Sequence, residues 1–449
     1  MIKSGCLFCV AAVAFAFWCG PRAAAAAREF RDIERFPQSG AAYLPPEPDA
    51  AIVDCVNQAV RAEEYLRRHF APWNGEARDG GPLSFLDLTF DRLPEYYASL
   101  AKKRFYAPGG GVFPKKSLDA IVKNGAVNPS AAMRPGVAIS AADIRVFPYG
   151  QPLYNSKTAA LGSGGHLKLD ALQVSTMRPG EPLAIFNASA DSNWFFAATG
   201  TAVGWVKVAA VAPAGRDFID IYVSAEKSVL VKDNVEMKDA DEKTAAAFKL
   251  GTVFPSENGA LLIPVRGKSG FADAVRRTPE EGAAEPFPVR FTPKNAARAI
   301  DAMMGEPYGW GGKSGLRDCS AMTRDYFSTF GIWLPRNSGD QSLAGSRISL
   351  KASSVKERNE IIVREGVPFA TLIHMPGHIM LYLGLYDGEP AVFHNTWGVI
   401  VTGGRAVVGR AVVTGLRLGE EIPGKPANSL LIDRIDAISF PMTELAVSK

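Results

Sequence analysis

Along this chain of 449 residues the spacing of apolar side chains changes twice, near Ala132 and near Thr292. Each change restricts what the segment can fold into. Over residues 28–131 the spacing is helical. Ile52, Cys55, Val56, Ala59, Val60 and Tyr65 recur on one side of a helix over residues 49–69, and residues 93–105 look similar. Phe70-Ala71-Pro72-Trp73-Asn74 and Asp79-Gly80-Gly81-Pro82 mark loops between them, and Gly109-Gly110-Gly111 ends the second helix. From Ala132 short apolar runs, 182–186, 194–198 and 204–208, are separated by Gly, Asp, Ser and Asn, which predicts a small β-barrel. A second such region follows from Phe218 to about Val275. Ile219-Asp220-Ile221-Tyr222-Val223 and Leu261-Leu262-Ile263-Pro264-Val265 read there as strands. Residues 278–288, rich in Pro, Glu and Ala, read as a linker. Beyond Thr292 the pattern is α+β. Helices are expected over 294–304 and 320–330, with Gly331 as a cap, and strands over 370–373, 378–385, 391–396 and 405–413.

Several globular domains therefore share the chain, as its 47% hydrophobic and 21% charged residues allow. The net charge of +4 is spread out, with no Lys/Arg block dense enough for a nucleic-acid surface. Lys3, the apolar run over residues 7–18 and the small residues Ala23 to Ala27 read as a signal peptide ending near Ala27, so export to the periplasm or cell envelope is expected. A lipid anchor would use Cys19, but Trp18 is bulky where a small residue is expected. No later apolar run reaches membrane-spanning length.

With Cys6, Cys9 and Cys19 in the signal region, the mature chain keeps Cys55 and Cys319. They would pair if this exported protein used a disulfide. Cys55 otherwise suits a buried free thiol on its helix. Cys319 is the more informative residue. It follows Tyr308-Gly309-Trp310-Gly311-Gly312 and Asp318, and it opens a helix that Asp318 can cap. A thiol attacks as thiolate, so it needs a positive environment and a base. The helix start supplies the first, together with backbone N–H groups for an oxyanion.

Five histidines are available as base. His69 and His166 lie outside the α+β unit and suit surface or structural roles. His374 is at a strand end, His378 opens a strand, and His394 is on the next strand. A three-residue hairpin loop at Tyr386-Asp387-Gly388 pairs His378 with Thr396, which leaves His394 one diagonal step away on the same face. A two-residue loop would put His394 on the opposite face. If the first register holds, His394 orients the imidazole of His378. A zinc site built from Cys319 and these histidines would lack a paired Cys-x-x-Cys or a His-x-x-x-His at helical spacing, and no metal or other cofactor is expected.

At these residues the chain resembles the NlpC-type cell-wall peptidases, papain-like cysteine enzymes. The matching pieces are Pro307-Tyr308-Gly309-Trp310-Gly311-Gly312, Asp318-Cys319-Ser320, Leu334-Pro335-Arg336 with Gln341, Gly377-His378 and the strand that follows, and Phe393-His394-Asn395. The remainder resembles the branch with an α-helical N-terminal domain (28–131) and two small β-barrel, bacterial SH3-like domains (132–213 and 214–280) before an α+β papain-like peptidase domain (288–445). The first SH3-like domain would hold Asp143 to Pro148, the run from Ser189 to Trp194, and Gly204-Trp205-Val206. The second is assigned by position.

The resemblance implies an endopeptidase that cleaves peptidoglycan stem peptides between γ-D-glutamate and a diamino acid. Cys319 is then nucleophile, His378 base and His394 orienter. Tyr308, Asp318, Ser320, Arg336, Asn337, Ser338 and Trp194 are the implied substrate contacts, with Tyr149 and Tyr154 as rivals of Trp194 for closing the groove. Where relatives hold the free amine of the stem's first residue with a carboxylate, this chain has Asn337, which gives that amine no counter-charge; either Asp340 or an SH3-like residue substitutes, or the preference for a free amine is relaxed. A wall-binding protein whose peptidase domain is inactive or regulatory is the competing expectation.

Overall fold

The computed structural model describes residues 30–74, 93–128, 132–238 and 244–443. The expected signal peptide and the loop at 79–82 lie outside them. Four sheets account for the strands of the described residues. The first is a seven-stranded antiparallel sheet built from Arg134–Ala138, Ala142–Arg145, Gln173–Met177, Pro182–Ala188, Trp194–Ala198, Val203–Lys207 and Val211–Pro213. A five-stranded sheet with a two-stranded partner, Val235–Lys238 against Thr244–Phe248, forms the second β unit. The C-terminal unit holds a six-stranded antiparallel sheet with His378–Tyr386, Glu389–Val401 and Gly404–Gly415 adjacent at one side. Helices Pro293–Met303 and Cys319–Thr329 pack on it through Ile300, Met303, Met322, Tyr326 and Phe327, all within one buried cluster.

Helices occupy the N-terminal region as expected, but they do not bury on one another alone. Phe36 and Tyr43 join the core of the C-terminal unit, and Phe70 joins a cluster with Val137, Ala212 and Leu262 of the two β units. Tyr97, Phe105 and Leu118 complete the core of the first β sheet. This segment is a strap whose apolar faces close three other units. Cys55, expected to be buried, is exposed at the first turn of Cys55–Phe70, where Asp54 caps the helix through Val56 and Asn57.

Two elements of the second β unit differ from the sequence reading. Ile219-Asp220-Ile221-Tyr222-Val223 lies in the helix Arg216–Ser224. The run is short and its alternation is incomplete. Helical spacing brings Phe218 and Tyr222 together as a buried stack 4.8 Å apart and places Arg216 on Asp220 four residues on. The presumed linker 278–288 contains the strand Ala284–Pro286, which pairs with Glu226–Leu230.

The hairpin that carries the histidines also differs in detail. Its turn is the two-residue Asp387-Gly388, with φ 48° and 76°, the pair of positive angles of a type I′ turn. Tyr386 pairs with Glu389, so that turn alone would put His378 and His394 on opposite faces. One extra residue between Tyr382 and Gly384 restores the offset, and Leu381 pairs with Phe393. The register matches the one expected from a three-residue loop, by a different route.

Candidate active site

The sequence places Cys319 one residue after a capping aspartate, and the structure shows what that cap does. Asp318 has extended backbone angles and its carboxylate accepts from Ala321 N at 2.9 Å and from Gly311 N at 3.0 Å. The cap therefore fixes both the helix start and the glycine turn before it. Gly311 and Gly312 have φ 62° and 80°, and a Cβ on them would lie 2.6 Å from Gln173 Cγ and 2.8 Å from Thr176 Oγ1. Only glycine lets the turn dock this closely on the strand Gln173–Met177. Gln173 and Thr176 donate to the Gly311 and Gly312 carbonyls at 3.1 and 2.7 Å.

Arg336 completes this support. Its guanidinium donates to Asp318 at 2.7 and 3.1 Å, to Ser320 Oγ at 3.0 Å and to Ser175 Oγ of the first β unit at 2.9 Å. Burial alone would raise the Asp318 carboxyl, but Arg336 outweighs it and holds it below the usual carboxylate range. Asp318, Ser320 and Arg336, expected as substrate contacts, are thus a buried, mutually satisfied network that positions Cys319. Gln341 adds to it, donating to Ser320 O at 2.8 Å and accepting from Thr323 at 2.6 Å.

His378 and His394 are brought together. His378 Nε2 lies 2.8 Å from His394 Nδ1, and His394 Nε2 lies 3.1 Å from Thr414 Oγ1. The Thr414 hydroxyl donates to Gly415 O at 2.9 Å, so it accepts from His394 Nε2–H. His394 Nδ1 is then the acceptor and His378 Nε2 the donor, which leaves the lone pair of His378 on Nδ1. Burial, with Arg434, His374 and Arg405 nearby, pulls His378 down to about 3, and burial holds His394 well below its ordinary value. Both rings are neutral. His374 is engaged elsewhere, with Nδ1 2.6 Å from Asp436.

Burial and the neighbouring Asp318 charge push the Cys319 thiol up to about 12, against the downward pull of the Ile379 and Ser320 backbone N–H groups. The helix start thus does not leave a thiolate in the resting site; thiol and imidazole are both uncharged. Burial, with Cys319 and Asp318 nearby, holds the Tyr308 phenol well above its ordinary value, and its ring meets Trp397 edge-on at 6.2 Å.

Other expected contacts lie elsewhere. Trp194 is buried in the core of the first β sheet, with Lys207 Nζ 3.9 Å over its ring, because its strand turns that face inward. Tyr149 packs on Phe113, and Tyr154 is buried with its backbone paired to Tyr106. None of the three lines the grooves beside the candidate site. Asn337 is exposed at the start of the short helix Ser338–Gln341, its amide 3.4 Å from Asp340. Ser338 is partly buried and does not line these grooves either.

Sequence reasoning missed Arg317. It is wholly buried and donates to Asp325 at 2.6 Å, Asp233 at 2.7 Å and Glu306 at 2.8 Å. Asp233 belongs to the second β unit, so this guanidinium ties that unit to the residue before Asp318. Its position beside Asp318-Cys319 was the only available signal.

A thiol at a capped helix start, below a hairpin that aligns two neutral imidazoles on an α+β scaffold, is the equipment of a papain-like cysteine peptidase. Residues 305–404 match the NlpC/P60 family, residues 152–207 an SH3 domain of the SH3b1 type, and residues 2–130 the N-terminal NlpC/P60 stabilising domain. The chain is therefore a multidomain protein of the NlpC type with an SH3 domain, and its C-terminal domain is a peptidoglycan-hydrolysing cysteine peptidase. The fold is similar to that of an NlpC/P60 endopeptidase from Photobacterium damselae subsp. piscicida, at 22% identity and TM-score 0.81 over 91% of this chain and 98% of that one. An NlpC/P60 family protein from Bacillus cereus aligns at 18% identity and TM-score 0.46, over 69% of this chain and 99% of its own. No protein of curated function matches the sequence significantly.

Proposed function

We propose that the chain is an exported cysteine endopeptidase that cleaves peptidoglycan stem peptides between γ-D-glutamate and a diamino acid. The single observation that carries this reading is the hydrogen-bond chain from Thr414 through His394 to His378, which leaves a basic Nδ1 on a neutral ring for Cys319. In the reaction, Cys319 Sγ attacks the γ-glutamyl carbonyl carbon as its proton passes to His378. The oxyanion forms against the backbone N–H at the start of Cys319–Thr329 and the Tyr308 hydroxyl. Collapse breaks the C–N bond, and His378 returns the proton to the departing amine. A water, deprotonated by the same ring, then hydrolyses the thioester and restores the thiol.

Export rests on residues 1–27, whose charged start, apolar run and small residues suit a cleaved signal. Asn337 offers no counter-charge to a free amine, so the account does not require an unblocked first residue. A regulatory or inactive domain would be favoured by a disulfide between Cys55 and Cys319, and both thiols are free. The test is hydrolysis of purified stem peptide by the native protein and by Cys319→Ala. Cleavage that survives the substitution rejects the assignment.

A further inference from the structure

A groove of about 650 Å³ opens beside His378 and Tyr308. One wall is the hairpin Glu389–Val401 and Gly404–Gly415 with the helix Leu431–Arg434. The other is the segment 155–169 of the first β unit, which contributes Asn155 and His166. The Trp397 indole donates to Gly165 O at 2.8 Å and joins the two walls. His166, expected to have a surface or structural role, lines this groove.

Two guanidinium groups line it, Arg405 and Arg434. Each is held by a backbone carbonyl, Arg405 Nη1 to Gly398 O at 3.0 Å and Arg434 Nη2 to Pro376 O at 3.2 Å. Both are partly buried, and burial together with the neighbouring Arg434 guanidinium disfavours charge on Arg405. Among the described residues neither is paired with a carboxylate. The acids nearest in sequence to Arg434 are occupied, Asp433 with Leu430 N and Asp436 with His374. Two mutually repelling cations, fixed by carbonyls and short of an acid, form a preorganised site for an anion.

We infer that Arg405 and Arg434 form a carboxylate-binding subsite for the part of the substrate beyond the scissile bond. This rests on the proposed function, which makes that part a diamino acid with its own carboxylate. The anion is either the diamino acid's side-chain carboxylate or the carboxylate that ends a tripeptide. An anion there has a second consequence. The two arginines also disfavour charge on His378, so a bound carboxylate makes that ring a better proton acceptor when substrate is present.

The test uses the full chain carrying Cys319→Ala, and three stem tripeptides measured by calorimetry. One has both carboxylates free, one has the side-chain carboxylate amidated, and one has the terminal carboxylate amidated. One amide is expected to bind at least about tenfold more weakly than the free acid, and which one does so identifies the group that is read. Adding Arg405→Gln and Arg434→Gln should erase the difference, and Arg405→Lys with Arg434→Lys should keep part of it. Equal affinity for all three peptides, or a difference that persists in the glutamine variant, overturns the subsite. Cleavage by the Cys319 protein is followed in parallel. Discrimination in binding without cleavage leaves the subsite standing and removes the peptidase reading; cleavage without discrimination does the reverse.

Discussion

His378 Nε2 and His394 Nδ1 lie 2.8 Å apart, buried on neighbouring strands, with His394 anchored in turn to Thr414. The relationship depends on direction as well as distance. The Thr414 hydroxyl uses its only proton on Gly415 O, so each group along the chain has one available role. The proton on His378 sits on Nε2, and Nδ1 is left as the base.

Thr414 is therefore expected to position the base without touching substrate. Thr414→Val keeps the shape, removes the acceptor and leaves His394 Nε2–H buried without a partner. The expected result is a fall of about tenfold in kcat with KM little changed, and recovery in Thr414→Ser. Steady-state kinetics on one stem peptide measures it. A valine variant with native kcat removes Thr414 from the account.

The neutral pair has a pH signature. With the thiol raised to about 12, the thiolate fraction in the free protein grows as pH rises. Alkylation of Cys319 by iodoacetamide should accelerate by about tenfold per pH unit between roughly pH 6 and 9. A resting ion pair would give a plateau over that range. Because His378 is lowered to about 3, it stays an unprotonated base well below the usual imidazole range. The acid limb of kcat/KM should not fall near the ordinary histidine value.

Arg317 is wholly buried and holds three largely buried carboxylates. Burial alone would disfavour its charge, but Asp325, Asp233 and Glu306 outweigh this and keep it protonated. Arg317→Met removes the one cation common to all three acids, leaving Lys249 on Asp233 and Glu306 and Arg178 on Asp325, and should cost about 3 kcal/mol. Denaturant unfolding followed through the C-terminal unit measures the loss. A change within about 0.5 kcal/mol, the range of an ordinary surface substitution, contradicts the role given to this cluster.

Much of this was legible in the sequence because local rules were obeyed. The Asp318 cap, the helix Cys319–Thr329 and the strands around His378 and His394 follow from spacing and end signals. The hairpin register came out right although the turn has two residues, since the bulge between Tyr382 and Gly384 offsets it and a bulge leaves no clear mark in composition. Arg336 and Ser320 are expected as substrate contacts from the motif, and the structure places them in the network around Asp318. A motif names residue types and says nothing of whether a guanidinium faces solvent or, as here, Asp318 and Ser175. Thr414 and the Arg405–Arg434 pair meet the site only through tertiary placement, so no sequence window contains them with His378. The strand expected at residues 219–223 failed because a short apolar run fits either period, and the stack of Phe218 on Tyr222 decided for helix.

The most direct measurement is mass analysis of products from a defined stem peptide after incubation with the native protein and with Cys319→Ala. The account predicts two fragments split at the bond between γ-D-glutamate and the diamino acid, formed by the native protein and absent with the alanine variant. Cleavage at another bond, or the same fragments from the variant, contradicts it.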